Sequence, residues 1–239
     1  MILCLDAGNS RVKWGLHDGG RWRAQGVVAH DGVAHIGDQL PAAPHRTAAC
    51  NVAGAPVGDA VARLAGRLGI ELQWLHASAA AAGVRNGYDR PGQLGADRWA
   101  AAIGARGLQA GAAVVVMAGT ATTIDLLGAD GLFRGGLILP GLDLMRSALA
   151  RGTAGLPLAA GRYGAVPTNT DDAIVSGSLH ATLGAITRMR AALGDAAPVL
   201  VSGGHAPTLA ALIDPPCRTV EHLVLEGLAR WARADAVSG

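Results

Sequence analysis

Hydrophobic positions fall into short apolar runs, alternating stretches and helical spacings. Residues 2–6 form an apolar run that closes on Asp6-Ala7-Gly8-Asn9-Ser10. Across 11–17 apolar Val12, Trp14 and Leu16 alternate with other residues, the period of a half-buried strand. Asp18-Gly19-Gly20 marks a hairpin turn, and 21–28 predicts a third strand. A strand is expected at 47–52. Apolar residues at 57, 61, 64, 65 and 68 predict a helix over 57–68. Residues 70–75 alternate as a strand. Asn86-Gly87, Arg90-Pro91-Gly92 and Gly95 make 77–95 read as loop, with a helix over 97–106.

A second block follows. A continuous apolar run at 113–118 predicts a buried strand, and 120–127 a second. Ala129-Asp130-Gly131 turns the chain into a third strand at 132–139, which Pro140-Gly141 ends. A helix is expected at 142–150, a Gly/Pro/Thr-rich loop at 152–170 and the longest helix at 172–193. A strand at 198–202 ends in Gly203-Gly204. A short helix at 207–212, a strand near 217–220 and a helix at 221–235 complete the pattern. Shifted by 111 residues, Ala7-Gly8 falls on Ala118-Gly119, Trp22 on Phe133 and Arg23 on Arg134. Both blocks run strand, Gly loop, strand, tight turn, strand, helices. This order predicts a duplicated α/β fold with an N-terminal lobe at 1–110 and a C-terminal lobe at 111–239. Duplicated lobes face one another across a cleft, where small-molecule sites concentrate.

Composition narrows the class. Of 239 residues, 50% are hydrophobic and 16% charged, enough apolar surface for a large core and too little charge for global disorder. No uninterrupted apolar run of about 18 residues suggests a membrane span. The start, MILCLDAGNS, lacks the basic and apolar regions of a signal peptide, so a cytoplasmic protein is expected. Cys4, Cys50 and Cys217 are few and far apart, and read as buried reduced thiols, not a disulfide framework or a zinc site. A net charge of +2 without an arginine run or aromatic–basic interleaving leaves no nucleic-acid footprint. Nineteen of the 20 cations are Arg, which singles out Lys13.

Four stretches carry chemistry. In residues 6–13, Gly8 admits close backbone approach, while Asn9, Ser10 and neighbouring amides suit phosphate oxygens. Asp6 suits a metal ion, and Lys13 is a compact charge able to follow a phosphoryl group. The alternative is an ordinary Asx-rich turn. Residues 118–125 (AGTATTID) hold the equivalent place in the second block. They read either as hydroxyls for phosphate or as a Thr-rich strand. In 199–204 (VLVSGG) a strand meets two glycines, either a nucleotide-accommodating loop or a plain turn. Asp97 and Arg98 open a helix after the long loop, either as first-turn residues favoured by the helix dipole or as a general base with an anion-pairing arginine. The eight histidines form no HxH or HExxH, and there is no GxSxG.

Together DAGNSRVK at 6–13, NGYDRPGQLGADRW at 86–99, GTATTID at 119–125 and GGLILPGLDLMRSAL at 135–149 resemble type III pantothenate kinases in order and spacing. The resemblance implies two ribonuclease-H-like lobes of the actin-like ATPase / acetate and sugar kinase superfamily, and a homodimer. It implies ATP- and Mg2+-dependent phosphorylation of pantothenate to 4′-phosphopantothenate, the first step of coenzyme A biosynthesis. Asp6, Ala7, Gly8, Asn9, Ser10, Arg11, Val12, Lys13 and Thr120 would contact ATP, with Asp6 toward the metal. Tyr88, Gly95, Ala96, Asp97, Arg98 and Thr170 would contact pantothenate, with Asp97 as the catalytic proton acceptor. Family members often carry Asp two residues before the GT of the third motif, as ligand to a monovalent cation (K+ or NH4+); here that residue is Met117. Two alternatives remain: a non-catalytic family member serving as an accessory factor in gene regulation, and a kinase for another small hydroxylated acid. No nucleic-acid or membrane partner is expected.

Overall fold

A computed structural model of the chain describes residues 1–235. Its strands are β1 (Ile2–Ala7), β2 (Val12–His17), β3 (Trp22–Val28), β4 (Arg46–Asn51), β5 (Glu71–Trp74), β6 (Ala80–Ala81), β7 (Val84–Asn86), β8 (Ala113–Ala118), β9 (Ala121–Leu127), β10 (Leu132–Pro140), β11 (Val199–Ser202) and β12 (Cys217–Thr219). Its helices are α1 (Ala55–Leu68), α2 (Ala96–Leu108), α3 (Leu142–Gly152), α4 (Thr170–Ala191), α5 (Ala206–Ala210) and α6 (Leu223–Asp235). The chain forms two compact units. The first takes residues 1–111, 129–134 and the stretch from His222 onward. The second takes 112–128 and 135–221.

The first unit is built on a sheet of order β3-β2-β1-β4-β5, with β1 antiparallel to β2 and parallel to β4. Leu3, Leu5, Ala7, Val12, Trp14 and Ala49 pack against Val57, Val61 and Leu64 of α1. The alternation at 11–17 predicts a strand with one wet face. Instead β2 lies between β1 and β3, and of its six residues only Lys13 stays partly exposed. Two short 3-10 turns, His30–His35 and Gly37–Gln39, follow β3 and bury Val33 and Ile36 in the same core. The loop expected at 77–95 contains the antiparallel pair β6–β7, and β7 pairs with Leu132 and Phe133 at the start of β10. That pairing is remote in sequence, so local pattern does not reveal it.

Helices α2 and α6 pack on β4, α6 also on β1, and the two cross with their backbones in contact. A Cβ on Gly227 would lie 1.8 Å from the Ala100 carbonyl, and one on Gly104 2.5 Å from that of Leu223. Side chains would force the helices apart at a cost of about 1–3 kcal/mol or more. Trp22 Nε1 donates to Glu226 at 2.6 Å, and Arg46 to the Ala232 carbonyl at 2.7 Å, tying α6 to β3 and β4. The chain therefore does not divide once at 110/111: α6 and residues 129–134 lie in the first unit, because close helix crossing and strand pairing hold them there.

The second unit repeats the plan. Its strands run β10-β9-β8-β11-β12, with β8 antiparallel to β9 and parallel to β11. This is the order of the first sheet with each strand replaced by its counterpart. Val114, Val116, Ala118, Ile124, Val199 and Val201 pack with Leu179 and Ile186 of α4. Among the described residues no helix is long and apolar enough to cross a membrane.

Candidate active site

In the first unit, strand register builds the centre. Asp6 lies opposite Lys13 on β2 and opposite Cys50 on β4. Cross-strand neighbours share a face of the sheet. Ala7 and Val12 pack on the α1 side, so Asp6, Lys13 and Cys50 project from the other side. Lys13 Nζ lies 3.8 Å from Asp6 Oδ2, and the Cys50 thiol donates to Asp6 Oδ1 at 3.7 Å. Asp6 is only 5% exposed. Burial pushes its carboxyl up to about 6, against the lowering pull of Lys13 and with a further push from the charge of Asp97. Burial, helped by Asp6 and Asp97, pushes the Cys50 thiol well above its ordinary range and keeps it a donor.

The turn that follows is closed by Gly8 N–H donating to the Arg11 carbonyl at 3.1 Å. It leaves Asn9, Ser10 and Arg11 exposed at the tip, while Ala7 and Val12 are buried and present only backbone. One carboxylate in this place fits magnesium, which keeps waters and phosphate oxygens and needs few protein ligands. The thiol and ammonium contacts of Asp6 are long, so its desolvated oxygens retain capacity for a cation. Among the described residues no group of three or more His, Cys, Asp or Glu is placed to form a complete metal cage.

Asp97 sits in the first turn of α2, where Arg98 N–H donates to its Oδ1 at 2.8 Å. It is half-buried, close enough for its charge to act on both Asp6 and Cys50. Arg98 is buried. Its Nη1 donates to the Tyr88 hydroxyl at 2.8 Å, and its guanidinium lies 5.7 Å from the ring centres of both Tyr88 and Phe133. Such stacking compensates a buried guanidinium. Asn86 accepts from Tyr88 N–H and donates to the Pro91 carbonyl, which shapes the loop leading to Gly95 and Ala96 at the start of α2.

In the second unit Thr120 is exposed in the β8–β9 turn, where its carbonyl accepts from Gly141 N–H at 2.9 Å. Of the three threonines, only Thr120 is exposed. Thr122 and Thr123 lie on opposite faces of β9, both buried, without a hydrogen-bond partner for either hydroxyl. Asp125 is fully buried. The VLVSGG loop packs on the end of β8. Gly203 has φ +107°, and a Cβ there would lie 2.4 Å from the Ala118 carbonyl. Loops at the carboxyl ends of adjacent parallel strands are where open α/β sheets hold ligands. Thr170 opens α4 and lines a groove of 720 Å³ with Met145, Leu149, Leu156 and Ile174.

The model of the family "Type III pantothenate kinase" matches residues 2–192. A type III pantothenate kinase of Aromatoleum aromaticum is 53% identical over 242 residues, covering 100% of each chain. The chain belongs to the type III pantothenate kinase family. Among solved structures it is similar to a Baf family protein from Campylobacter jejuni, with TM-score 0.66 and 21% identity over 98% of this chain and 99% of that one. It is also similar to a ROK hexokinase from Thermus thermophilus, with TM-score 0.50 and 13% identity over 100% and 99%. These two likenesses show the fold: the duplicated α/β lobes of actin-like ATPases and sugar kinases.

In this pantothenate kinase family member, three residues near the candidate site escape sequence reasoning. Cys50 meets Asp6 from 44 positions away. His30 Nε2 lies 2.9 Å from the Gly8 carbonyl and braces the turn. Phe133 carries the Arg98 stack. All three depend on contacts remote in sequence. The one available signal was the apolar environment predicted around Cys50, which leaves a thiol no polar neighbour except one supplied by another strand. Cys217, expected buried, is half-buried on the short β12.

Proposed function

We propose that the protein transfers the γ-phosphoryl group of ATP to the primary hydroxyl of pantothenate, giving 4′-phosphopantothenate and ADP at the first step of coenzyme A biosynthesis. The observation that carries this reading is the Asp6–Lys13 pair across β1 and β2, with Asp97 at the start of α2 near enough for its charge to act on Asp6, in a chain of this kinase family. Asp97 accepts the hydroxyl proton. The freed oxygen bonds to the γ-phosphorus in line while the bond from that phosphorus to the β–γ bridging oxygen breaks. Lys13 follows the transferring group, and Ala7 to Val12 offer backbone and side-chain donors to the phosphates. Asp6 would hold the magnesium carried with ATP, which would supply neutralisation of charge on the transferring group, the larger part of phosphoryl-transfer catalysis. Tyr88, positioned by Arg98, and the Gly95-Ala96 backbone hold pantothenate. Thr120 serves ATP and Thr170 pantothenate. With Met117 at the place of the family's frequent Asp, the protein has little need of potassium or ammonium.

The reading extends to assembly and compartment. Among the described residues, seven of the nine exposed large hydrophobic residues lie between 137 and 166 in the sequence, and one of them, Leu149, lines the groove of α3 and α4. Apolar surface so concentrated is an interaction face. It supports a homodimer, and the cytoplasm is the compartment we propose for it. Leu149→Asp then yields a monomer by sedimentation, while a wild-type monomer refutes it.

A coupled ADP-release assay across pantothenate, other hydroxy acids and a few sugars tests the activity. Turnover with pantothenate alone is expected. Turnover only with another acceptor moves the assignment to that substrate, and none with any acceptor favours the regulatory alternative. The intact Asp6, Lys13 and Asp97 speak against that last outcome.

A further inference from the structure

Cys50 has no part in the mechanism above, yet it touches the side chain at its centre. Parallel pairing of β1 with β4 sets Cys50 beside Asp6, and antiparallel pairing with β2 sets Lys13 on the other flank. The carboxylate is thereby divided between two neighbours: Oδ1 faces the thiol at 3.7 Å and Oδ2 faces the ammonium at 3.8 Å. Cysteine in a core is ordinarily a small hydrophobe, chosen for volume. Here its neighbour is a buried carboxylate, whose lone pairs need donors once water is removed. The equivalent residue of the second sheet is Ser202, opposite Met117, so in both sheets this position holds a small side chain able to donate a hydrogen bond.

We propose that Cys50 is a positioning residue for the phosphate site: its thiol donates to Oδ1 of Asp6 and fixes the carboxylate with Oδ2 turned toward Lys13. The proposal rests on the role given to Asp6. A carboxylate free to rotate about its two side-chain bonds binds a cation less well than one already oriented. Donors that orient a metal-binding carboxylate commonly cost about 10–100-fold in affinity or activity when removed.

The first measurement needs no ligand. The S–H stretching band falls where other protein groups do not absorb, and its frequency drops when the thiol donates. In the infrared spectrum of the full-length protein, the band lost in Cys50→Ser belongs to Cys50. It is expected below the frequency of the Cys217 band, and Asp6→Asn is expected to raise it. A Cys50 band at the frequency of a non-bonded thiol, unmoved by Asp6→Asn, overturns the proposal.

The second measurement is calorimetric titration with ATP, with and without magnesium. Cys50→Ala is expected to weaken MgATP binding about 10-fold and leave metal-free ATP binding unchanged, while Cys50→Ser restores the wild-type value. Cys50→Ala binding MgATP as tightly as wild type overturns the proposal. So does Cys50→Ser failing as Cys50→Ala does with a lowered Tm, which would make the residue packing alone. Failure of the underlying reading looks different: Asp6→Asn would keep full turnover whatever the infrared band shows.

Discussion

The two sheets share one five-strand order but set different side chains in the same row. Across β2, β1 and β4 the row reads Lys13, Asp6, Cys50; across β9, β8 and β11 it reads Thr123, Met117, Ser202. One row holds a buried acid between a cation and a thiol. The other holds a thioether between two hydroxyls. The turns differ as well. Pairing of Ala7 with Val12 leaves residues 8–11 in the first turn, while pairing of Ala118 with Thr122 leaves only 119–121 in the second. Duplication thus preserved the backbone frame and the loop positions, and side chains divided the work. Within these two rows the ionisable side chains lie in the first unit, and the second holds hydroxyls and a thioether.

If this division holds, the largest losses come from the first unit. Asp97→Asn keeps size and hydrogen bonding but removes the proton acceptor. Its kcat is expected to fall about 10²–10⁴-fold with ATP binding nearly unchanged. A variant within threefold of wild type in steady-state assays would take Asp97 out of that role.

Lys13→Arg comes next. It keeps the charge and replaces a compact ammonium with a wide planar fork. If Lys13 meets the transferring phosphoryl group, misplacement should cost on the order of 10–100-fold in kcat. A kinetically silent Lys13→Arg would make the row's cation merely a partner for Asp6.

The row's acid also weighs on stability. Burial holds Asp6 at about 6, above its ordinary 3.8. Between those values the folded chain binds more protons than the unfolded one, so stability falls as pH rises through that window, and the cost is complete above pH 6. Asp6→Asn should therefore stabilise the ligand-free protein above pH 7, on the order of 2–3 kcal/mol, and change little below pH 4, even as it abolishes turnover. Thermal melts from pH 4 to 8 read this. A destabilised Asp6→Asn at pH 8 would mean that the attraction of Lys13 outweighs burial.

How much of this was legible beforehand depends on whether the cause was local. The runs at 2–6 and 113–118 and the spacing at 57–68 match β1, β8 and α1, because alternation and helical periodicity record burial within one element. The turn at Gly8 was also visible, since glycine and Asx residues mark turns chemically. Features made between elements were not. Nothing near residue 50 announces Asp6, and nothing near 227 announces that α6 crosses α2 at Gly104. The half-buried reading of β2 failed for the same reason, because both its flanking strands come from elsewhere in the chain. The Thr-rich stretch left two readings open because threonine favours strands as readily as it binds phosphate; in the structure Thr122 and Thr123 are buried in β9 while Thr120 is exposed in the turn.

The smallest expected effect tests the second row. Potassium and ammonium prefer oxygen ligands, and a thioether is a poor substitute. Met117 is half-buried between Thr123 and Ser202, and among the residues paired with it in the sheet none is a carboxylate. Replacing sodium by potassium or ammonium at fixed ionic strength should therefore change the wild-type rate by no more than about twofold, with magnesium still required. Met117→Asp sharpens the comparison by putting an acid where the first row has one. If the row geometry is equivalent in the two sheets, this variant should gain saturable activation by potassium over a bulky organic cation. It should also lose some thermal stability, because the new carboxylate is partly buried. Strong potassium activation of the wild type would show that oxygens outside this row supply a cation site, and the contrast between the rows would then concern phosphate chemistry alone.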